Sequence, residues 1–345
     1  MGSKSKEVKL ERVEIEKDKF INTLSFNNTK NNGDQKKTLV MTHGFGVGLG
    51  IFYKNYDAIS EVEGYKTYSI DWLGMGRSSR PPFALRPKCG QSQDEHIAEA
   101  EDFFVESLEK WRERQNIEKM TLLGHSLGGY LSTVYALKYP RRVEKLILVS
   151  PVGIPKSPYL KGAQSQTELE QLEVINNEGN IDNPLQTINR EVRPPLQIPS
   201  WIKYLWERNY TPQWIIRLAG PYGPELVGKY VFRRFTHLQD QEQHNLRDYI
   251  YHIASMSGSG EYAFGTILSV GAFACKPLIS RFNKLTVPTF FIYGDCDWMD
   301  HTHALKAQHL IKAKSEVYLV PNAGHQLFLE NPGFFNDVLQ RILKA

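Results

Sequence analysis

Within "LLGHSLGGYL", Gly124, His125, Ser126, Leu127 and Gly128 set one hydroxyl between two glycines at the G-x-S-x-G spacing of a nucleophile elbow. The turn such a motif makes is tight enough that side chains at Gly124 and Gly128 would clash, and it leaves the serine oxygen clear at a helix N-terminus. A serine hydroxyl is a poor nucleophile until a base removes its proton, and an acid must fix the tautomer of that base. His325, in "PNAGHQLFLENP", is the one histidine of ten that follows the last strand-like run on a loop. Others, such as His237, His244, His252, His301 and His303, read as surface or cap residues. "FIYGDCDWMD" offers the acid as Asp295, Asp297 or Asp300. Asp297, three residues after Gly294, is favoured, and Asp300 is its rival. "MTHGFGVGLG" at 41–50 supplies Gly44 and free backbone N–H groups. The Phe45 N–H there, with that of Leu127 after the nucleophile, would form an oxyanion hole, in which one donor contributes about 3 kcal/mol to the transition state. Alone, these glycines read equally well as a flexible turn, and they lack the GK[ST] ending of a phosphate loop.

These groups need elements to bring them together. "KTLVMT" (37–42), "KTYSID" (66–71), "KMTLLG" (119–124) and "KLILVS" (145–150) read as strands separated by helical patterns, the signature of a parallel sheet. The elbow then falls between a strand and a helix, as the motif requires. Ile97, Phe104, Val105, Leu108 and Trp111 recur at helical spacing in a crossover helix over 94–114. The rhythm stops after Ser150, and 154–284 reads as an inserted, mainly helical cap. "VPTFFIYG" (287–294) and "SEVYLVP" (315–321) resume the strands, and Asn331 and Pro332 read as the N-cap and first position of a last helix. The expected organisation is a basic N-terminal tail and first strands over 1–36, a core over 37–153 and 285–345, and the cap between.

The chain has 345 residues, 41% of them hydrophobic, enough for a substantial α/β core. Lysine and arginine total 42 against 38 acidic residues, a net charge of +4 that gives no case for nucleic acid. Three cysteines without CxxC spacing indicate neither a zinc site nor a disulfide framework, and no histidine cluster has metal-ligand spacing. No apolar run reaches the roughly 18 residues of a membrane span, and the start carries no secretory core, so a soluble, cytoplasmic protein is expected. Gly2 suggests myristoylation, but Lys6 occupies the motif's Ser/Thr position, which favours a solvated basic tail.

"HGFGVGLGIFYKNYDAIS", "IDWLGMGRSSRPPF", "GHSLGGYLSTVYALKYPRRVEKLILVSPVGIP", "RLAGPYGPELVGKY" and "DYIYHIASMSGSGEYAF" together resemble one group of α/β-hydrolases. It contains the lipid-droplet lipase coactivator mutated in neutral lipid storage disease with ichthyosis and its N-acyl phospholipid hydrolase paralogue. The resemblance runs from about residue 37 to the C-terminus and includes the cap. It implies an α/β-hydrolase fold, a mostly parallel central sheet flanked by helices with a mainly helical cap. It also implies a lipid acyl hydrolase or acyltransferase acting on phospholipids or lysophospholipids. The coactivator branch has asparagine at the elbow where this chain has Ser126. The family's His-x4-Asp motif, associated with lysophosphatidic acid acyl transfer, is here His325 followed by Glu330. The coactivator's tryptophan-rich N-terminal droplet anchor has no counterpart.

In the cap, Trp201, Trp206 and Trp214 lie with Tyr204 and Tyr210 among Lys203, Arg208 and Arg217. Aromatic rings with cationic neighbours suit contact with a membrane or lipid droplet, and they suit packing against the core equally well. The reading that results is a serine hydrolase with a lipid substrate and no cofactor or metal. An adaptor using the fold as a scaffold is the rival from another class. Epoxide or haloalkane hydrolysis is disfavoured because those relatives carry aspartate at the elbow.

Overall fold

A computed structural model describes residues 6–28, 37–157, 204–206, 208 and 210–345. Eight strands form the main sheet. They are β1 (Lys6–Glu16), β2 (Lys19–Asn28), β3 (Lys37–Thr42), β4 (Tyr65–Ile70), β5 (Met120–His125) and β6 (Val143–Val149), then β9 (Thr289–Gly294) and β10 (Ser315–Val320) after a two-residue-stranded hairpin of β7 (Leu268–Ser269) and β8 (Phe273–Ala274). Their order is β1-β2-β4-β3-β5-β6-β9-β10. From β4 to β10 neighbours run parallel, and β1 and β2 are antiparallel additions at one edge.

Adjacent residues on the central strands point to opposite faces, so each strand feeds two cores. Leu122, Leu146 and Phe291 pack on one side with Phe104, Tyr130 and Phe264. Leu123, Ile147 and Phe290 pack on the other with Phe335 and Leu339. Burying one such side chain contributes about 1.5–3 kcal/mol, which is why these strands read as unbroken apolar runs rather than alternating ones.

The helices are α1 (Tyr56–Ser60), α2 (Gln93–Arg114), α3 (Leu127–Lys138), α4 (Pro212–Leu218), α5 (Gly223–Arg234), α6 (Asp240–Ala254), α7 (Gly260–Ile267), α8 (Thr302–Leu310), α9 (Leu327–Glu330) and α10 (Pro332–Lys344). Helix α2 is the expected crossover. Ser92 and Glu95 cap its start reciprocally, and Ile97, Phe104, Val105, Leu108 and Trp111 are buried. Asn331 caps α10 by accepting the Phe334 N–H at 3.3 Å, with Pro332 in the first turn.

Between β6 and β9 the described chain is α4 to α7, short 3-10 turns and the β7–β8 hairpin. Val227 and Val231 of α5 and Ile250 of α6 join the second core, and Ala263, Phe264 and Ile267 of α7 join the first. Gly260 N–H donates to Gly74 O at 3.1 Å, and a Cβ on Gly74, whose φ is +77°, would lie 2.4 Å from Gly260 N. The inserted helices are therefore seated directly on the loop that follows β4.

The N-terminal stretch carries two strands within the 1–36 region read as tail and first strands. Residues 6–28 form a hairpin that turns at Lys17 and Asp18, the latter at φ 60°, and joins the sheet through β2 and β4. Among the described residues, no helix is long and apolar enough to cross a membrane.

Candidate active site

Ser126 stands between β5 and α3 with φ 55° and ψ −114°, a conformation sparsely populated by residues with a Cβ. Strain of this kind, of order 1–3 kcal/mol, persists because the surroundings hold the backbone on both sides. The Ser126 N–H donates to Val149 O at 2.9 Å, and its carbonyl accepts from Gly129, Tyr130 and Val152 at 3.0–3.2 Å. A Cβ on Gly124 would lie 2.3 Å from Gly128 O, and one on Gly128 2.7 Å from Thr42 O and His43 O. Both glycines are therefore required by the close approach of α3 to β5 and β3.

His325 follows β10 on the loop before α9. Its Nε2 lies 3.1 Å from Ser126 Oγ, and its Nδ1 lies 3.1 Å from Asp297 Oδ1 and 3.4 Å from Oδ2. All three side chains are buried, Asp297 most deeply. Burial alone would raise the Asp297 pKa. The charge and hydrogen bond of His325 and the Met299 N–H outweigh it, so the carboxyl is held below its ordinary value. Asp300 is engaged elsewhere: its Oδ1 accepts the Thr302 N–H at 2.9 Å at the start of α8. Asp295 Oδ1 accepts the Ala323 N–H at 3.1 Å. Of the three acids in this loop, the structure brings Asp297 to His325.

Gly44 packs against the elbow, where a Cβ would meet both Ser126 Cβ and His125 Nδ1 at 3.0 Å. Phe45 follows, its ring stacked on Phe264 with centroids 3.9 Å apart. Leu127 is the first residue of α3, so its N–H has no intrahelical acceptor. Gly44, which precedes Phe45, and Leu127 thus adjoin Ser126.

The cap tryptophans differ from one another. Trp206 is half-buried, donates its indole N–H to Leu268 O at 3.0 Å and stands edge-on to Phe264 at 5.5 Å. That places it in an aromatic row leading to Phe45 rather than at an outer surface. Trp214 is half-buried, 4.8 Å from the exposed Tyr210 ring. Trp201 lies outside the described residues. Ile215 and Leu218 of α4, Tyr222 in the turn after it, and Leu226 and Tyr230 of α5 are apolar or aromatic side chains at 39–72% exposure.

Sequence reasoning missed several polar supports. His125 Nε2 lies 2.9 Å from the carbonyl of His325, to which it can only donate. Burial, then the neighbouring charge of His325, pushes the His125 pKa down to about 3, which keeps it neutral. Asp71 accepts from Leu49 N, Asn22 Nδ2 and Arg77 N at 2.6–2.9 Å, holding the loop after β3 against that after β4. Its position at the end of a strand, before a glycine-rich turn, was the available signal.

The model of the α/β-hydrolase fold matches residues 37–332. A probable 1-acylglycerol-3-phosphate O-acyltransferase of Oryza sativa subsp. japonica is 37% identical over 334 residues, covering 95% of this chain and 71% of the relative. A (lyso)-N-acylphosphatidylethanolamine lipase of Homo sapiens is 33% identical, covering 90% and 80%. The 1-acylglycerol-3-phosphate O-acyltransferase ABHD5 of Rattus norvegicus is also 33% identical, covering 97% and 84%. The resemblance read from the sequence motifs is met by these relatives.

Proposed function

The chain belongs to the α/β-hydrolase family, and from that premise we propose that it is a serine hydrolase cleaving acyl esters or amides of phospholipids or lysophospholipids. The observation that carries this reading is the unbroken chain from Ser126 Oγ through both nitrogens of His325 to the buried Asp297. His325 Nε2 takes the Ser126 proton as Oγ attacks the acyl carbonyl. The resulting oxyanion accepts hydrogen bonds from the Phe45 and Leu127 N–H groups. Collapse breaks the bond to the leaving alcohol or amine, which receives the proton from His325. Water then attacks the acyl-enzyme, giving its proton to Nε2, and releases a fatty acid together with Ser126. Asp297 stays ionised throughout and stabilises the imidazolium.

Acyl transfer is the second reading, favoured by the acyltransferase names of two relatives. It differs only in the last step, where a lipid hydroxyl replaces water. The exposed apolar and aromatic side chains between Ile215 and Tyr230 support peripheral contact with a membrane or droplet, because such groups on neighbouring short helices are suited to the lipid interface. A purely scaffolding role has no use for the hydrogen-bonded triad.

Incubation with a panel of labelled phospholipids and lysophospholipids, wild type beside Ser126→Ala, tests the proposal when products are resolved by mass. Free fatty acid released by wild type alone supports hydrolysis, and a new phospholipid supports transfer. Equal turnover by the two proteins overturns both.

A further inference from the structure

The residues on either side of His325 are fastened to the cap by one ion pair. Glu330, at the end of α9, accepts the Gly324 N–H with Oε2, and its Oε1 lies 2.9 Å from Arg234 Nη1. The other end of the same guanidinium donates to Gln326 Oε1. Gly324 and Gln326 immediately precede and follow His325. Arg234 is the last residue of α5, whose Val227 and Val231 are buried in the second core. The Glu330 side chain is only 10% exposed and that of Arg234 34%, so the pair is partly shielded from water.

We propose that Arg234 and Glu330 are positioning residues, a clamp that fixes the His325 loop in the register at which Nε2 reaches Ser126 and couples that register to the docking of α5. The proposal rests on the serine-hydrolase reading above. The His325 backbone is gripped from two directions: His125 holds its carbonyl from the elbow, and the clamp holds the residues flanking it from the cap. A loop anchored only at its ends leaves the imidazole free to drift, and a displacement of about 1 Å lowers turnover by up to about a hundredfold.

The clamp also gives Glu330 a role other than the one implied by the His-x4-Asp resemblance. Both of its oxygens are engaged by Gly324 and Arg234. Aspartate, one methylene shorter, could not bridge those partners from the same place on α9. Loss of Glu330 should therefore slow every reaction that passes through Ser126, rather than acyl transfer alone.

The test uses the full chain with Arg234→Met, Glu330→Gln and the double variant, each checked by thermal melting. Three rates are measured: lysophospholipid hydrolysis, acyl transfer to a lipid hydroxyl, and labelling of Ser126 by a fluorophosphonate. The clamp predicts that kcat falls about tenfold in each single variant with KM within about twofold, and that labelling and transfer fall in the same proportion. The double variant should be no slower than the worse single one, because both changes break one device. Arg234→Lys, which can reach Glu330 but not also Gln326, should recover part of the loss. If Glu330→Gln does not fold, Gln326→Ala removes one strand of the clamp and should cost about threefold in kcat. Selective loss of transfer in Glu330→Gln, multiplied losses in the double variant, or unchanged rates in Arg234→Met overturn the clamp. A wild type that is neither active nor labelled overturns the serine-hydrolase reading, and the clamp with it.

Discussion

His325 and His43 are both buried, and each lies near a buried aspartate, Asp297 at 3.1 Å and Asp71 at 3.6 Å. Their surroundings differ in what is left over. His43 Nδ1 donates to Gly44 O at 2.7 Å, and its Nε2 accepts the Trp72 N–H at 3.2 Å. Both nitrogens are committed to backbone, and burial lowers the His43 pKa. Asp71 is likewise occupied by two backbone N–H groups and an amide. In the other pair, Asp297 holds one imidazole nitrogen and the second faces Ser126 Oγ. A histidine–aspartate contact is therefore not by itself a catalytic device. The difference lies in whether one ring nitrogen remains for a reacting group.

The largest expected effect separates the two histidines. His325→Ala should lower kcat for ester hydrolysis by about a millionfold. His43→Ala should instead lower stability by about 2–3 kcal/mol, because it leaves buried backbone groups unpaired, while kcat per folded molecule falls by about tenfold at most. Urea melts and steady-state kinetics on the same preparations check both. If His43→Ala lost activity as deeply as His325→Ala, the contrast would collapse.

The two acids sharpen the comparison. Asp297→Asn should cost about ten-thousandfold in kcat, since the amide favours the wrong tautomer of His325. Asp71→Asn keeps one acceptor oxygen but loses the other, and should destabilise by about 2 kcal/mol with a far smaller effect on kcat. A stability loss in Asp297→Asn exceeding that in Asp71→Asn would reverse the assignment of roles.

The smallest effect is in pH. Asp297 is held below its ordinary value by His325, against the effect of burial, so the folded state binds its proton less readily than the unfolded chain. The stability this contributes is fully present above the ordinary carboxylate range and is lost as pH falls through the folded value. The gap in unfolding free energy between wild type and Asp297→Asn should therefore narrow as pH falls through and below the ordinary carboxylate range. A constant gap over that window would mean that the pair carries no charge.

Much of this contrast was legible in the chain. The strands that carry the site lie within about two residues of their sequence-based bounds, because buried parallel strands leave unbroken apolar runs between turn signals. Ser126 and His325 stood out because each follows such a strand on a short turn. Spacing from Gly294 favoured Asp297 but left Asp300 as a rival, since both follow β9. Their difference is geometric: the Asp297 N–H returns to Gly294 O at 3.1 Å, whereas Asp300 accepts the Thr302 N–H at the start of α8. First strands were expected in 1–36, but their bounds and pairing were not legible, because Val8 and Leu10 lie on one face and Val13 and Ile15 on the other, interrupting the period of two, and the turn between the strands has no glycine. The clamp was hidden because Arg234 and Glu330 are brought together by the docking of α5, which no local pattern encodes.

The central claim is that Ser126 is a nucleophile activated by His325. Its most direct test is reaction with a fluorophosphonate followed by peptide mass mapping, for wild type and His325→Ala. A single adduct on the peptide bearing Ser126, formed at least about a thousandfold more slowly in the variant, is the predicted result. An adduct elsewhere, none at all, or equal rates in the two proteins would contradict it.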